Sequence, residues 1–197
     1  MADNKSGRDD QADNADRRQR ERALLMELER GDETEPPIES AELDDLETEL
    51  DQLSFPATGD EVVDAVGDRA IDAPAGRYTV AELVPEIETF DSPDEVAIRI
   101  RRPTVASSMT RISEAASTLS NKQLGTSQRE AYEKTFRALI AIDAVDDDEA
   151  VGEITDWIVE RIHGKETLPG SRAVRREAAK IARKSGYEIS NNEWLGI

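Results

Sequence analysis

The spacing of apolar residues changes along the chain and divides it into four parts. Residues 1–16 are almost wholly polar, and we expect a disordered acidic tail, because so few apolar residues cannot offset the entropy of folding. Residues 17–53 show helical spacing interrupted by a Pro-Pro pair, which predicts peripheral helices and a linker. Residues 54–103 mix short helical and strand-like patterns, and residues 104–197 are helical almost throughout.

The peripheral part contains two leucine-bearing segments. The first, from Asp16, places Leu24, Leu25 and Leu28 on one side of a predicted helix that ends at Gly31. In the second, Ser40 is a candidate cap for a helix in which four leucines follow a 3-4-3 spacing: Leu43, Leu46, Leu50 and Leu53. This stripe is short for a coiled coil. It favours a helix that docks on its own domain, and a dimerisation or partner helix is the alternative.

Residues 54–103 predict a small α+β module. Three Ser/Thr-x-x-Glu boxes, at Thr58, Thr79 and Ser92, can satisfy the free amides at helix starts, and short helices are expected near 60–66 and 80–87. The sequence AIDAPAGRYTV has a turn between strand-like flanks. The later sequence VAIRIRRP alternates apolar and polar residues as a half-buried strand does. We therefore expect a two- or three-stranded antiparallel sheet.

Residues 104–197 predict a bundle of four helices. The first three lie within 104–122, 127–145 and 146–164, with Asp146 to Asp148 at the start of the third and Gly164 at its end. The fourth lies in SRAVRREAAKIARKSG, at 171–186, and the tail beyond it is expected to fold back through Trp194. The fold class is thus mainly α (α+β), with a disordered N-terminus, a small α+β module and a helical bundle whose ending resembles a helix-turn-helix.

Charge sets the expected environment. The chain has 44 acidic against 25 basic residues and a formal net charge of −19, and only six of the basic residues are lysines. A solvated acidic surface keeps a protein soluble in concentrated salt. This composition favours a halophilic, cytoplasmic protein, and an ordinary acidic mesophilic protein is the alternative. The N-terminus has no signal-peptide pattern and no run is apolar enough to span a membrane, so no membrane association is expected.

The fourth bundle helix reverses the local charge. From Arg161 to Lys184 there are eight cations against two carboxylates, a charge of +6, so the remaining residues carry −25. Arg172, Arg176, Lys180 and Arg183 are predicted on one face, with Arg175 beside it and Lys184 at the end, while Val174, Ala178, Ile181 and Ala182 form the other face. Ser171 is the candidate N-cap, where backbone amides can meet a phosphate. Two interpretations remain open: contact with nucleic acid, or pairing with acidic surface of this chain or a partner.

No other pattern carries chemistry. There are no cysteines, which excludes thiolate catalysis and cysteine-ligated metals, and the one histidine, His163, is expected at a helix end. The acidic runs lack calcium-loop spacing, and no glycine-rich phosphate loop is present. We therefore expect no catalytic residues, no metal and no cofactor.

Three stretches carry a family resemblance: FPATGDEVVDAVGDR, FDSPDEVAIRIRRP and the closing LPGSRAVRREAAKIARKSGYEISNNEWLGI. In these the sequence resembles uncharacterised acidic proteins of haloarchaea, over most of the chain after residue 16. The middle segment also resembles a small haloarchaeal domain family of unknown function. The resemblance implies a haloarchaeal source and a cytoplasmic setting, and it implies no activity or functional residue.

Together these patterns favour a non-catalytic binding protein, an adaptor or regulator that acts through protein contacts. Its candidate surfaces are the leucine stripe Leu43 to Leu53 and the cationic helix. The alternative is a DNA- or RNA-associated regulator that uses the cationic helix 171–185.

Overall fold

The computed structural model describes residues 36–119, 124–142 and 147–185, apart from the side chains of Ser40, Asp147 and Asp148. The predictions for the tail 1–16, for the leucine-bearing segment 16–31 and for Trp194 lie outside these residues. Within them the chain is mainly helical with a small antiparallel β component, which confirms the predicted fold class.

The first described helix follows the linker. A 3-10 turn at Ser40–Leu43 leads into helix α1 at Asp44–Leu50. The cap of this start is Glu39 rather than the expected Ser40, because the turn begins one residue earlier than predicted. The backbone N–H of Glu39 donates to Oε1 of Glu42 at 3.0 Å, which closes a capping box.

The module is built from short elements held by two separate antiparallel strand pairs. Strand β1 (Ala57–Thr58) pairs antiparallel with β4 (Thr89–Phe90), and β2 (Ala70–Ala73) pairs antiparallel with β3 (Gly76–Thr79). Helix α2 (Gly59–Val66) follows β1, and α3 (Val80–Leu83) follows β3. The β2–β3 hairpin confirms the predicted turn. The predicted single sheet is instead two two-stranded sheets.

The three predicted boxes start helices. Thr58 and Thr79 each form a complete capping box with the glutamate three residues later, and these begin α2 and α3. Ser92 accepts from the N–H of Glu95 at 3.4 Å, but the Glu95 carboxylate reaches the N–H of Asp91 at 2.8 Å instead of that of Ser92. The third box is therefore offset by one residue.

The prediction of a strand at Val96 to Ile100 is wrong. This segment belongs to helix α4 (Pro93–Ile100). Val96, Ala97 and Ile100 are buried, whereas Ile98 is exposed. Buried positions at i, i+1 and i+4 have the helical period, and Pro93 sits at the first helical position, where its missing N–H costs nothing. Three alternating apolar residues are too few to distinguish the two-residue period of a strand from the 3.6-residue period of a helix.

The remaining helices form the bundle. They are α5 (Pro103–Ser117), α6 (Thr126–Ile140), α7 (Asp147–Lys165) and α8 (Ser171–Lys184). Helix α5 packs on α7, and α8 packs on both α6 and α7. Gly164, expected to end α7, lies within its last turn, and the left-handed residue that follows the helix is Glu166, with φ 49°.

Two hydrophobic cores lie side by side along the described chain. The module core extends from Ile38 to Ala106 and includes α1, which the sequence grouped with the peripheral helices. The bundle core gathers apolar residues of α5 to α8, with Tyr132 and Phe136 among its fully buried side chains. Helix α5 contributes to both cores, through Ala106 to the first and Met109 to the second.

Tyr132 links α6 to the turn before α8. Its hydroxyl donates to the carbonyl of Pro169, which also accepts from Nε2 of Gln128 at 2.8 Å. Burial raises the pKa of Tyr132 to about 12, and the Gln128 hydrogen bond opposes that rise. Below pH 10.0, the ordinary pKa of tyrosine, the buried neutral phenol therefore contributes its full share to stability. This contribution is lost as the pH rises from 10.0 towards the folded-state pKa of about 12.

We expect Tyr132→Phe to lower the free energy of unfolding by about 1 kcal/mol at neutral pH, through loss of one buried hydrogen bond. The variant should also lose stability less steeply than the parent protein above pH 10.0. Urea titrations at neutral and alkaline pH measure both effects, and Tyr78→Phe on the β2–β3 hairpin is the control. Equal alkaline slopes for the parent protein and Tyr132→Phe would contradict the prediction.

Candidate functional site

Helix α8 is fixed at its start by the preceding turn. Gly170 is the N-cap, and its carbonyl accepts from the N–H of Ala173 at 2.8 Å. Ser171, expected as the cap, is instead the first helical residue, because the chain is already extended at Gly170 (ψ 151°) and enters the helix one position earlier than predicted. Pro169 is buried and bonded to α6, so the turn ties the start of α8 to the bundle.

One face of α8 packs into the bundle core. The predicted apolar residues Val174, Ala178, Ile181 and Ala182 are all buried, and Ala179 joins them. Three of these five side chains are alanines, which allow the helix to approach α6 and α7 closely. The bundle therefore holds α8 with its opposite face turned outward.

The outward face of α8 carries the predicted cations. Arg172, Arg176, Lys180 and Arg183 are exposed, at spacings of four, four and three residues, and Arg175 is half-buried beside them. Because residues three and four apart are neighbours on a helix, these four side chains form one stripe. The helix holds six cations against a single carboxylate, Glu177. We call the four exposed residues the cationic stripe.

Carboxylates of the same chain neutralise only part of this charge. Nζ of Lys180 lies 2.7 Å from Oε2 of Glu177, and Nζ of Lys184 lies 3.2 Å from Oε1 of Glu153 on α7. Such exposed pairs contribute little stability and exchange readily with other anions. Arg172 and Arg176 make no ion pair with any residue that the structure describes. The stripe thus keeps guanidinium groups open to an external anion.

The leucine stripe has the opposite placement. Leu43, Leu46 and Leu50 are at most 3% exposed, and Leu53 packs partly buried against the same module core. The chain itself covers this stripe, as the docking interpretation requires. A partner would reach these leucines only if α1 left the domain.

The other residues considered in the sequence do not converge on a site. His163 is exposed in the last turn of α7, and Trp157 packs against the bundle core with the guanidinium of Arg161 4.6 Å from its ring centroid. Within residues 36–119, 124–142 and 147–185, no group of His, Cys, Asp and Glu could hold a metal ion. In the same part of the chain, no helix has the length and apolar character needed to cross a bilayer.

The structure also shows a buried charged cluster that the sequence did not indicate. Glu88 is 7% exposed, and its Oε2 lies 2.8 Å from Nη2 of Arg99 on α4 and also accepts from Nη1 of Arg129 on α6. Oγ of Ser113 on α5 donates to Oε1 of Glu88 at 3.1 Å. We call these four residues the Glu88 cluster. They join the module to the bundle. Because they are far apart in the sequence, no local pattern indicates that they meet.

Burial makes the charges of this cluster costly. It lowers the pKa of the Arg129 guanidinium, which the carboxylate of Glu88 counteracts and the neighbouring charge of Arg99 reinforces. Arg99 also lies over the ring of Phe90, with its Cζ 5.3 Å from the centroid. Nη1 of Arg99 and Nε of Arg129 are buried with no hydrogen-bond partner among the described residues. Glu88 is therefore the carboxylate on which both guanidinium groups depend.

Part of the chain matches a known protein family. Residues 40–110 match a family described as Family of unknown function (DUF5789). No curated protein and no solved structure matches the chain. The match begins at α1, spans the module and ends inside α5, so it leaves the cationic stripe outside. Residues 40–110 are thus a DUF5789 domain of unknown function, joined through α5 to the bundle that carries the stripe.

Proposed function

We propose that the protein is a non-catalytic binding protein, an adaptor or regulator, and that it docks its partner on the cationic stripe of α8. The observation that carries this proposal is the contrast between its two candidate surfaces. The leucine stripe is buried in the module core, whereas the cationic stripe is exposed. The bundle core holds α8 in place, which gives a partner a preformed surface.

The partner that suits this surface best is an acidic segment of another protein. Guanidinium groups bind carboxylates through paired hydrogen bonds, and three of the four stripe residues are arginines. Residues three or four apart on a helix have Cβ atoms about 5–6 Å apart, which sets the spacing of the stripe. An acidic helix with carboxylates four residues apart presents the same spacing. Such a segment also carries less charge than nucleic acid, so the net charge of −19 repels it less.

Nucleic acid is the second candidate, and the exposure of the stripe favours it. Arg172 and Arg176 are exposed and make no ion pair with the described carboxylates, so they can contact successive phosphates. The attraction weakens steeply as salt rises, because it depends on counterion release. The two candidates therefore differ in how binding should respond to salt and to the type of anion.

We also propose that the protein works in the cytoplasm of a halophile. Folding that proves independent of salt would contradict this proposal. The support is the excess of 44 acidic over 25 basic residues and the scarcity of lysine. In concentrated salt the Debye length falls to about 3 Å at 1 M, which screens the acidic surface from an approaching anion. Binding should accordingly be measured across the salt range.

The test measures fluorescence anisotropy of a glutamate-rich peptide, a duplex DNA and a single-stranded RNA, from low to molar KCl. We expect the full-length protein to bind the peptide. The variant Arg172→Gln/Arg176→Gln/Arg183→Gln should lose about tenfold or more in affinity, since three surface contacts of up to about 1 kcal/mol each are removed.

The matched control is Arg77→Gln/Arg111→Gln/Lys134→Gln, which removes the same charge from exposed residues outside α8. Equal losses in both variants would show a general charge effect and contradict docking on the stripe. Binding of DNA or RNA but not of the peptide, lost only in the α8 variant, would establish the second candidate instead. Failure of all three ligands to bind would contradict both.

A further inference from the structure

Three buried side-chain atoms lack a hydrogen-bond partner within the described part of the chain: Nη1 of Arg99, Nε of Arg129 and Oγ1 of Thr110. The first two belong to the Glu88 cluster. Thr110 is 3% exposed and precedes Ser113, the hydroxyl of the cluster, by three residues on α5, so the two hydroxyls share one side of that helix. Buried polar groups without a partner are rare, because each costs free energy. Their convergence on one place therefore indicates a ligand.

The Glu88 cluster holds more positive than negative charge. Two guanidinium groups approach the same carboxylate oxygen, Oε2 of Glu88, and their side chains are only 15% and 21% exposed. Water therefore screens their charges weakly. Burial lowers the pKa of the Arg129 guanidinium, although Glu88 and the half-buried Glu133 on α6 both oppose the shift. The site thus favours a further negative charge.

The unpartnered atoms also define the chemistry of the ligand. The two nitrogens are donors only, and the hydroxyl can donate as well, so the ligand must accept several hydrogen bonds at once. A water molecule would bring two O–H donors of its own, whereas the Glu88 oxygens already contact two guanidinium groups and the hydroxyl of Ser113. A halide ion only accepts, supplies the negative charge and is small enough for donors that are buried.

We propose that the Glu88 cluster and Thr110 form a binding site for one halide ion, held by Nη1 of Arg99, Nε of Arg129 and Oγ1 of Thr110. The three donors come from α4, α5 and α6, so the ion links a helix of the module to helices of the bundle. Binding should therefore stabilise the attachment of the module to the bundle. The site shares no residue with the cationic stripe on α8 and does not depend on what docks there.

A crystal structure of the full-length protein grown in potassium bromide tests the location directly. Bromide scatters anomalously and substitutes for chloride in halide sites. We expect an anomalous difference peak between the three donor atoms. A water molecule without anomalous signal, or a side chain of the same protein, bound to these donors would overturn the proposal.

Urea unfolding tests the site in solution. Potassium chloride replaces potassium gluconate at constant ionic strength, so that only the anion changes. Because a ligand that binds only the folded protein stabilises it by mass action, the folding equilibrium constant should rise by up to about tenfold for each tenfold rise in chloride above its Kd. Equal stability in chloride and in gluconate at every mixing ratio would overturn the proposal.

The variant Thr110→Val removes one donor and keeps the charge of the site. It should weaken chloride binding by about tenfold, as loss of one hydrogen bond to an ion predicts, and move the chloride dependence to higher concentration. The matched control is Thr155→Val, at a buried position on α7 whose hydroxyl donates to the carbonyl of Val151 at 2.6 Å.

The control should keep the chloride dependence of the parent protein even where it lowers the stability. Because Thr110 is not on α8, this comparison also separates the site from halide binding by the cationic stripe. The same chloride dependence in Thr110→Val and Thr155→Val would overturn the proposed set of donors.

Discussion

Replacing Glu88 with leucine is expected to lower the free energy of unfolding by about 3 kcal/mol, because removal of one partner from a buried ion pair leaves the other charge uncompensated. Here one carboxylate serves two guanidinium groups, whose side chains are only 15% and 21% exposed. The leucine would also leave the hydroxyl of Ser113 without its acceptor. Chemical denaturation followed by circular dichroism measures the change.

Two further variants make this prediction specific to charge. The triple replacement Glu88→Leu/Arg99→Leu/Arg129→Leu removes all three charges and should be clearly more stable than Glu88→Leu alone, since apolar residues can replace a buried charged group at little cost. Glu114→Leu, the same change at an exposed site on α5, should have a small effect. A triple variant less stable than Glu88→Leu would contradict the prediction, because it would show that uncompensated arginine charge does not cause the loss of stability.

Replacing Gly59 with alanine is the second change with a large expected effect. A Cβ atom at this position would lie 1.9 Å from the carbonyl oxygen of Pro85 and 2.8 Å from its carbonyl carbon. Both are backbone atoms in the loop that leads to β4, and the N–H of Gly59 donates to the carbonyl of Glu88 at 2.7 Å. The loop must therefore move, and we expect a loss of about 2–3 kcal/mol from overpacking.

Gly152 provides a matched control for this substitution. It lies inside α7, and a Cβ atom there would meet nothing within 4 Å. Gly152→Ala should therefore stabilise the protein by about 0.5–1 kcal/mol, because alanine is the better helix former. Thermal denaturation of both variants should thus give shifts of opposite sign. A shift of the same sign in both would show that the contact with Pro85 does not decide the outcome.

Local signals in the sequence predicted local structure well. The hydroxyl and glutamate of the Thr58 and Thr79 boxes lie three residues apart, so one short motif contains the whole interaction that starts each helix. Four of the five residues on the buried face of α8 were likewise predicted, because they repeat with the helical period in a single segment, and only Ala179 was not. In each case the residues that determine the structure are close in sequence.

The errors arose where a short pattern fitted two periods or where the interaction was not local. Val96, Ile98 and Ile100 alternate as in a strand, yet Ala97 is buried and Ile98 is exposed, which only the helix explains. The Glu88 cluster draws on a strand-end residue and three helices, and nothing near Glu88 in the sequence indicates Arg129. The sequence likewise left open whether Arg172 and Arg176 are exposed, because this depends on which helices pack beside α8 in the folded protein.

Helix α5 has a consequence for residues 40–110 taken on their own. The family match ends at residue 110, within a helix that continues to Ser117. Val105 and Met109 lie inside the match, yet their side chains belong to the bundle core rather than to the module core. The matched domain therefore ends in an apolar helical edge that it cannot cover by itself. In this chain α6 to α8 supply the complementary apolar surface, so residues 40–110 expressed alone would expose that edge to solvent.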